Sequence, residues 1–211
     1  RHLIDLSAYS GQVVRIAFRL IDSPTNCRLS TGWYVDDIEI LEGAYPAWSP
    51  EGFESGIGGW SAERGQWQIG TPSFGGLTSG HNSPNCAGTV LDGDYTCAAD
   101  SRLISSPASL SASPADGKLW LSFWQWFSLS RTDGIDAGMV EISTDNGSTW
   151  TVVSVVMSGT GGGWTRHLID LSAYSGQVVR IAFRLIDSPT NCRLSTGWYV
   201  DDIEILEGAY P

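Results

Sequence analysis

The amino-acid sequence predicts an all-β protein, a two-sheet antiparallel sandwich repeated with a 165-residue period. Three observations carry that reading. Apolar residues alternate with period two in several stretches. No window combines helical periodicity with caps. Residues 1–46 recur without one change as residues 166–211, so the 211-residue chain is one full period plus 46 residues. Identity at all 46 positions excludes convergence and leaves recent duplication or a homogenised tandem array. The period is much longer than the roughly 20–50 residues of solenoid and propeller units, so each unit is expected to fold around its own core.

Read in order, residues 1–46 are the C-terminal part of a preceding identical repeat, and residues 47–211 are one complete unit. The chain begins at Arg1 inside a strand-rich stretch, with no Met and no signal peptide, and so reads as an internal excerpt of a longer polypeptide. Residues 43–52, GAYPAWSPEG, set Pro and Gly between apolar runs and mark a short, semi-rigid connection. Residues 119–129 form a strand that is apolar on both faces, with Leu119, Leu121, Phe123, Phe127 and Leu129 on one and Trp120, Trp124 and Trp126 on the other. The outer, Trp-bearing face needs a cover: a loop of the same unit, a neighbouring unit, or a sugar ring. Trp48 in the connector is a further candidate for contact between units.

Val140 and Ile142 alternate with Glu141 and Ser143, and lead into STDNGSTW at 143–150. Asn146-Gly147 is a two-residue hairpin signal, because both positions accept positive φ. The Ser-x-Asp-x-Gly-x-Thr-Trp spacing looks like an Asp box, which is a structural hairpin. The arginine cluster and Tyr/Glu pair of a sialidase cannot be placed here. Val179, Ile181, Phe183 and Leu185 alternate with Arg180, Ala182 and Arg184 in the next clear strand. In the last one, Tyr199, Asp201, Ile203 and Ile205 share a parity, which would set Asp201 among core residues. A buried carboxylate must be hydrogen-bonded, neutralised or metal-bound.

Composition narrows the function classes. Twelve basic against 23 acidic residues give a net charge of −11, the wrong sign for neutralising phosphates, so nucleic-acid binding is set aside. Aromatics at 11%, with ten Trp, exclude a disordered acidic tail. No apolar stretch reaches the length of about 18 residues that a membrane span requires. The unit 47–211 carries −9, so a string of units repels itself and offers carboxylates to divalent cations.

Three stretches carry a family resemblance: FESGIGGW at 53–60, GTVLDGDYTCAADSRLISSP at 88–107, and residues 164–206, whose sharpest element is Gly197-Trp198-Tyr199-Val200-Asp201-Asp202-Ile203. Together they resemble the MAM-like jelly rolls appended to immune-inhibitor-A-type peptidases, and are similar to the cleaved-adhesin domains of gingipain-type proteins. The resemblance implies a two-sheet jelly roll, an ancillary or adhesive role and no catalysis. It also implies a structural Ca²⁺ between an acidic residue of the first strand and an Asp of the last. Those are Glu54 and Asp201, with Asp202 as a further ligand and backbone carbonyls or water completing six to eight oxygens. Asp92, Asp94, Asp100 and Asp136 are weaker candidates.

Cys27 is the copy of Cys192, so one period holds three cysteines, Cys86, Cys97 and Cys192. A disulfide between Cys86 and Cys97 closes a short loop; Cys192 with either partner, or reduced thiols, are the alternatives. His81 and His167 show no metal-site spacing, and no Ser or Cys stands in a nucleophile motif. Asn146-Gly147-Ser148 is an N-glycosylation acceptor pattern. Three readings of function follow. The first is an extracellular, cell-surface structural repeat that builds a fibre, stalk or adhesin from copies of itself, by head-to-tail array or strand exchange. The second is a carbohydrate-binding module with the Trp face as glycan platform. The third is an accessory domain of a secreted hydrolase or peptidase.

Overall fold

The computed structural model describes residues 4–20, 33–36, 38–40, 45, 47–64, 67–97, 99–130, 136–187 and 193–209. The chain divides into two units, one over residues 45–211 and a small one over residues 3–44.

Among the described residues, eleven strands build the larger unit: β1 (Ser61–Glu63), β2 (Gln68–Gly70), β3 (Cys86–Gly88), β4 (Asp100–Ile104), β5 (Ala108–Ser109), β6 (Leu119–Ser128), β7 (Ala137–Ser143), β8 (Thr151–Val152), β9 (Thr165–Asp170), β10 (Val178–Ile186) and β11 (Gly197–Glu207). They form two antiparallel sheets. The first has the order β1-β4-β10-β7-β8 with β5 also on β10, and the second β2-β3-β11-β6-β9. The last 46 residues thus supply the central strand of each sheet, β10 and β11, and the edge strand β9. The fold is an all-β jelly-roll sandwich, as the period-two pattern and the family resemblance imply.

The core lies between the sheets. Val179, Ile181, Phe183 and Leu185 of β10 face Leu121 and Phe123 of β6 and Trp198, Val200 and Ile203 of β11, and all are buried. Phe183 is the hub of the aromatic packing, edge-on to Phe123 at 5.0 Å and to Trp198 at 5.5 Å. Trp198 Nε1 donates to Gln125 Oε1 at 3.1 Å, which satisfies the one polar atom of that ring. The outer face of the first sheet is an ion-pair ladder. Glu141, buried, accepts from Arg102 at 2.6 Å and from Arg184 at 3.1 Å, and Arg184 also donates to Asp100 at 2.8 Å.

The last strand departs from the expected parity. Trp198 and Val200 face the main core, whereas Tyr199 faces outward into a separate cluster with Leu77 and Cys86. A register shift between Asp201 and Glu204, with Asp202 at φ 46°, then turns the strand over, so that Ile203 re-enters the core. A β-bulge adds one residue and reverses which face each side chain takes. Asp201 is therefore buried on the outer side of the second sheet, under the 71–85 loop, and not among the core residues Ile203 and Ile205.

The 143–150 hairpin follows its motif. Asn146 and Gly147 both have positive φ, at 60° and 97°. Asp145 Oδ1 accepts from Ser143 Oγ at 2.7 Å and Thr149 N at 2.8 Å, and Thr149 Oγ1 donates to Oδ2 at 2.6 Å. These bonds, first those from Thr149, hold the Asp145 carboxyl down to about 2.

Candidate functional site

Asp201 and Asp202 lie beneath the loop before β3, and Glu54 bonds to that loop from an exposed position. The bulge places Asp201 wholly out of water, and its Oδ2 accepts the His81 N–H at 2.9 Å while its Oδ1 accepts the Asp202 N–H at 2.8 Å. Ser83 Oγ is a third, longer donor at 3.5 Å. Burial nonetheless dominates: it pushes the Asp201 carboxyl up to about 7, and the negative charges of Asp202 and Glu54 add to the rise. Glu54 is exposed and fixes the loop by accepting the Asn85 N–H at 2.8 Å. Asp202 Oδ2 lies 2.8 Å from His81 Nδ1, and the His81 ring stacks on Trp124 at 3.7 Å.

All three carboxylates are hard oxygen donors, and the backbone passes close to two of them at glycines. A Cβ at Gly80 would lie 2.6 Å from Asp201 Oδ2, and one at Gly52 would lie 3.4 Å from Asp202 Oδ1 and 3.7 Å from Asp201 Oδ1. Among the described residues no group of three or more His, Cys, Asp or Glu stands in ready coordinating geometry, so a cation would draw on backbone oxygens or water for most of its shell. Of the weaker candidates, Asp100 is paired with Arg64 and Arg184, Asp136 is buried and accepts from Tyr95 OH at 2.5 Å, and Asp92 and Asp94 are exposed.

Sequence reading missed two members of this region. Glu51 pairs with Ile203 across the bulge and accepts the Phe53 N–H at 2.7 Å, and its own burial raises its pKa. His81 lids Asp201 through its backbone and Trp124 through its ring. The Pro-containing HNSP stretch is a turn signal, but nothing in it points 120 residues ahead to Asp201.

The outer tryptophans are half-buried, and each meets a group of its own unit. Trp120 Nε1 donates to Gly208 O at 3.0 Å with Lys118 over its ring, Trp124 carries His81, and Trp126 packs edge-on against Tyr199 at 5.5 Å. Trp48 is half-buried against Trp60 at 6.0 Å. Asn146 is exposed at the hairpin tip, with its Oδ1 accepting from Arg180 Nε at 2.8 Å.

The cysteine expectation is corrected. Cys86 is a free, buried thiol that packs with Leu77 and Tyr199, while Cys97 is disulfide-bonded to another cysteine. Burial, and then the negative charges of Asp201 and Glu54, push the Cys86 thiol up to about 12. Cys27 and Cys192 lie outside the described residues. No helix among the described residues is long and apolar enough to cross a membrane.

No protein-family model matches the chain. Bacillopeptidase F of Bacillus subtilis is 33% identical over 157 residues, which is 74% of this chain and 10% of that protein. The chain thus spans about a tenth of the curated relative it matches. Among solved structures, the K1 cleaved adhesin domain of Lys-gingipain from Porphyromonas gingivalis superposes with a TM-score of 0.52 at 20% identity, over 76% of this chain and 98% of that one. A xylan-binding domain from Paenibacillus barcinonensis gives a TM-score of 0.46 at 12% identity, over 78% of this chain and 97% of that one. The chain carries a jelly-roll domain of the kind found appended to peptidases, with the fold of the cleaved adhesin domain.

Proposed function

We propose that this chain is a non-enzymatic extracellular repeat unit that builds a fibre, stalk or adhesin from copies of itself, one jelly roll per step. The observation that carries the reading is the match between period and fold. Residues 47–211, one 165-residue period, hold a shell and the two central strands that close it, and residues 1–46 repeat the closing part of the unit before. A module with that property makes length by repetition and needs no separate active site. The adhesin domain and the peptidase among its relatives support a cell-surface or secreted setting. The Pro-containing 43–52 connection limits the angles between successive units, and identical units then repeat one geometry.

Within this reading Ca²⁺, held by Glu54, Asp201 and Asp202, is the stabilising ion of the unit. It would neutralise the buried Asp201 and tie the loop before β3 to the last strand. Sedimentation of the chain across a concentration series, beside titration with a panel of polysaccharides, tests the proposal. Self-association without saturable glycan binding is expected. A monomer at all concentrations with saturable binding to one polysaccharide would overturn it in favour of a carbohydrate-binding module.

A further inference from the structure

The identity of residues 1–46 with 166–211 has a consequence for how the domain closes. Without residues 166–211, the shell 47–165 has a gap in the middle of each sheet, between β4 and β7 in one and between β3 and β6 in the other. The side chains that fill those gaps are present twice. Ile181, Phe183 and Leu185 have no exposed surface, whereas their copies Ile16, Phe18 and Leu20 are 50%, 46% and 71% exposed. Among the described residues the copy forms no strand, but two local features of the closing segment recur in it. The 3₁₀ turn Ser7–Tyr9, with Ser7 N donating to Asp5 Oδ1 at 2.8 Å, reproduces Ser172–Tyr174, with Ser172 N donating to Asp170 Oδ1 at 2.8 Å. Phe18 and Trp33 meet edge-on at 5.7 Å, as Phe183 and Trp198 do at 5.5 Å.

Connectivity allows the exchange. The chain enters the shell at Tyr45 and Ala47, which meet Ser109, and Glu51 then runs antiparallel to Ile203 of β11. The last strand leaves at Gly208, whose N–H donates to Lys118 O at 3.1 Å. Ser109 and Lys118 flank one loop, between β5 and β6, so entry and exit lie at the same end of the sandwich. A closing segment that ends at Pro46 and continues directly into Ala47 needs no threading. Residues 1–165 are, residue for residue, a circular permutant of residues 47–211.

We infer that residues 1–46 are a second closing segment for the 47–165 shell of the same chain. The two copies compete for one pair of gaps, and loss of one hands the shell to the other. The test uses the full chain with a charge placed at the hub: Phe183→Asp, Phe18→Asp, and both together. Phe183→Asp is expected to keep a cooperative unfolding transition and the oligomeric state of the parent chain, while the double variant loses the transition. Hydrogen exchange read by mass reports the copies separately, because the substituted peptides differ in mass. In the Phe183→Asp chain, protection is expected to move from the peptide spanning position 183 to the one around Phe18. A Phe183→Asp chain as unfolded as the double variant would overturn the inference. So would one that folds only as a larger oligomer than the parent, since its shell would then be closed by another molecule.

Discussion

The buried Asp201 makes a quantitative prediction about pH and calcium. Its carboxyl sits at about 7 in the folded protein against 3.8 for an ordinary Asp, chiefly because burial penalises the charged form. The folded state therefore holds the proton more tightly than the unfolded state, and stability falls as pH rises through the window from 3.8 to about 7. Carried through that window, the difference amounts to about 4 kcal/mol, absent below the unfolded pKa and fully expressed at pH 8. Asp36→Asn together with Asp201→Asn removes the titrating group from both copies. One backbone N–H loses its acceptor, which costs about 1 kcal/mol, less than the charge penalty removed. Urea unfolding without calcium should then show the double variant more stable than the parent at pH 8 and less stable at pH 4. Added Ca²⁺ should stabilise the parent at pH 8, by about 2.7 kcal/mol at a hundredfold excess over Kd, and leave the variant unmoved. Equal pH slopes in parent and variant would refute the burial argument. A parent melting curve indifferent to chelator and to Ca²⁺ would refute the calcium assignment.

Three further outcomes follow from the shell, where no second copy can compensate. Glu141→Ala leaves the Arg102 and Arg184 guanidinium groups facing a buried site without its carboxylate, and should cost about 3–5 kcal/mol in denaturant unfolding. Gly80→Ala drives a Cβ into Asn85 O and to within 2.6 Å of Asp201 Oδ2, so it should lower the melting temperature and weaken any response to Ca²⁺. Cys86, buried and with its thiol pKa near 12, should resist alkylation at pH 8 in the native protein and react at once in denaturant. Rapid native labelling at Cys86 would contradict its placement.

Strand pattern is legible where one face is apolar and the other polar, as in β10, because period two needs no knowledge of partners. The bulge at Asp202 is not. An Asp at φ 46° leaves no mark in the sequence, and the parity of Tyr199, Asp201 and Ile203 assumes an unbroken strand. That is why the pattern sets Asp201 in the core while the structure sets it beneath the 71–85 loop. The cover on the Trp face is equally hidden, since His81 reaches Trp124 from more than 40 residues away and through a turn. The Cys86–Cys97 expectation rests on short loop closure alone. Cys86 begins β3 with its side chain in an apolar cluster, where packing and not spacing decides. The Glu141 ladder has a faint signal, in that Arg102, Glu141 and Arg184 all occupy outward positions, but register is needed to set Arg102 opposite Arg184 with Glu141 on the diagonal.

Electron micrographs of the protein at its natural length test the central claim, that one jelly roll per period builds an array. The 11-residue β11 spans about 36 Å at the usual strand rise, so one unit should advance the particle by about 35–45 Å. Uniform filaments or stalks with that axial repeat are the expected result. Isolated globules with no repeat along any axis would contradict the account.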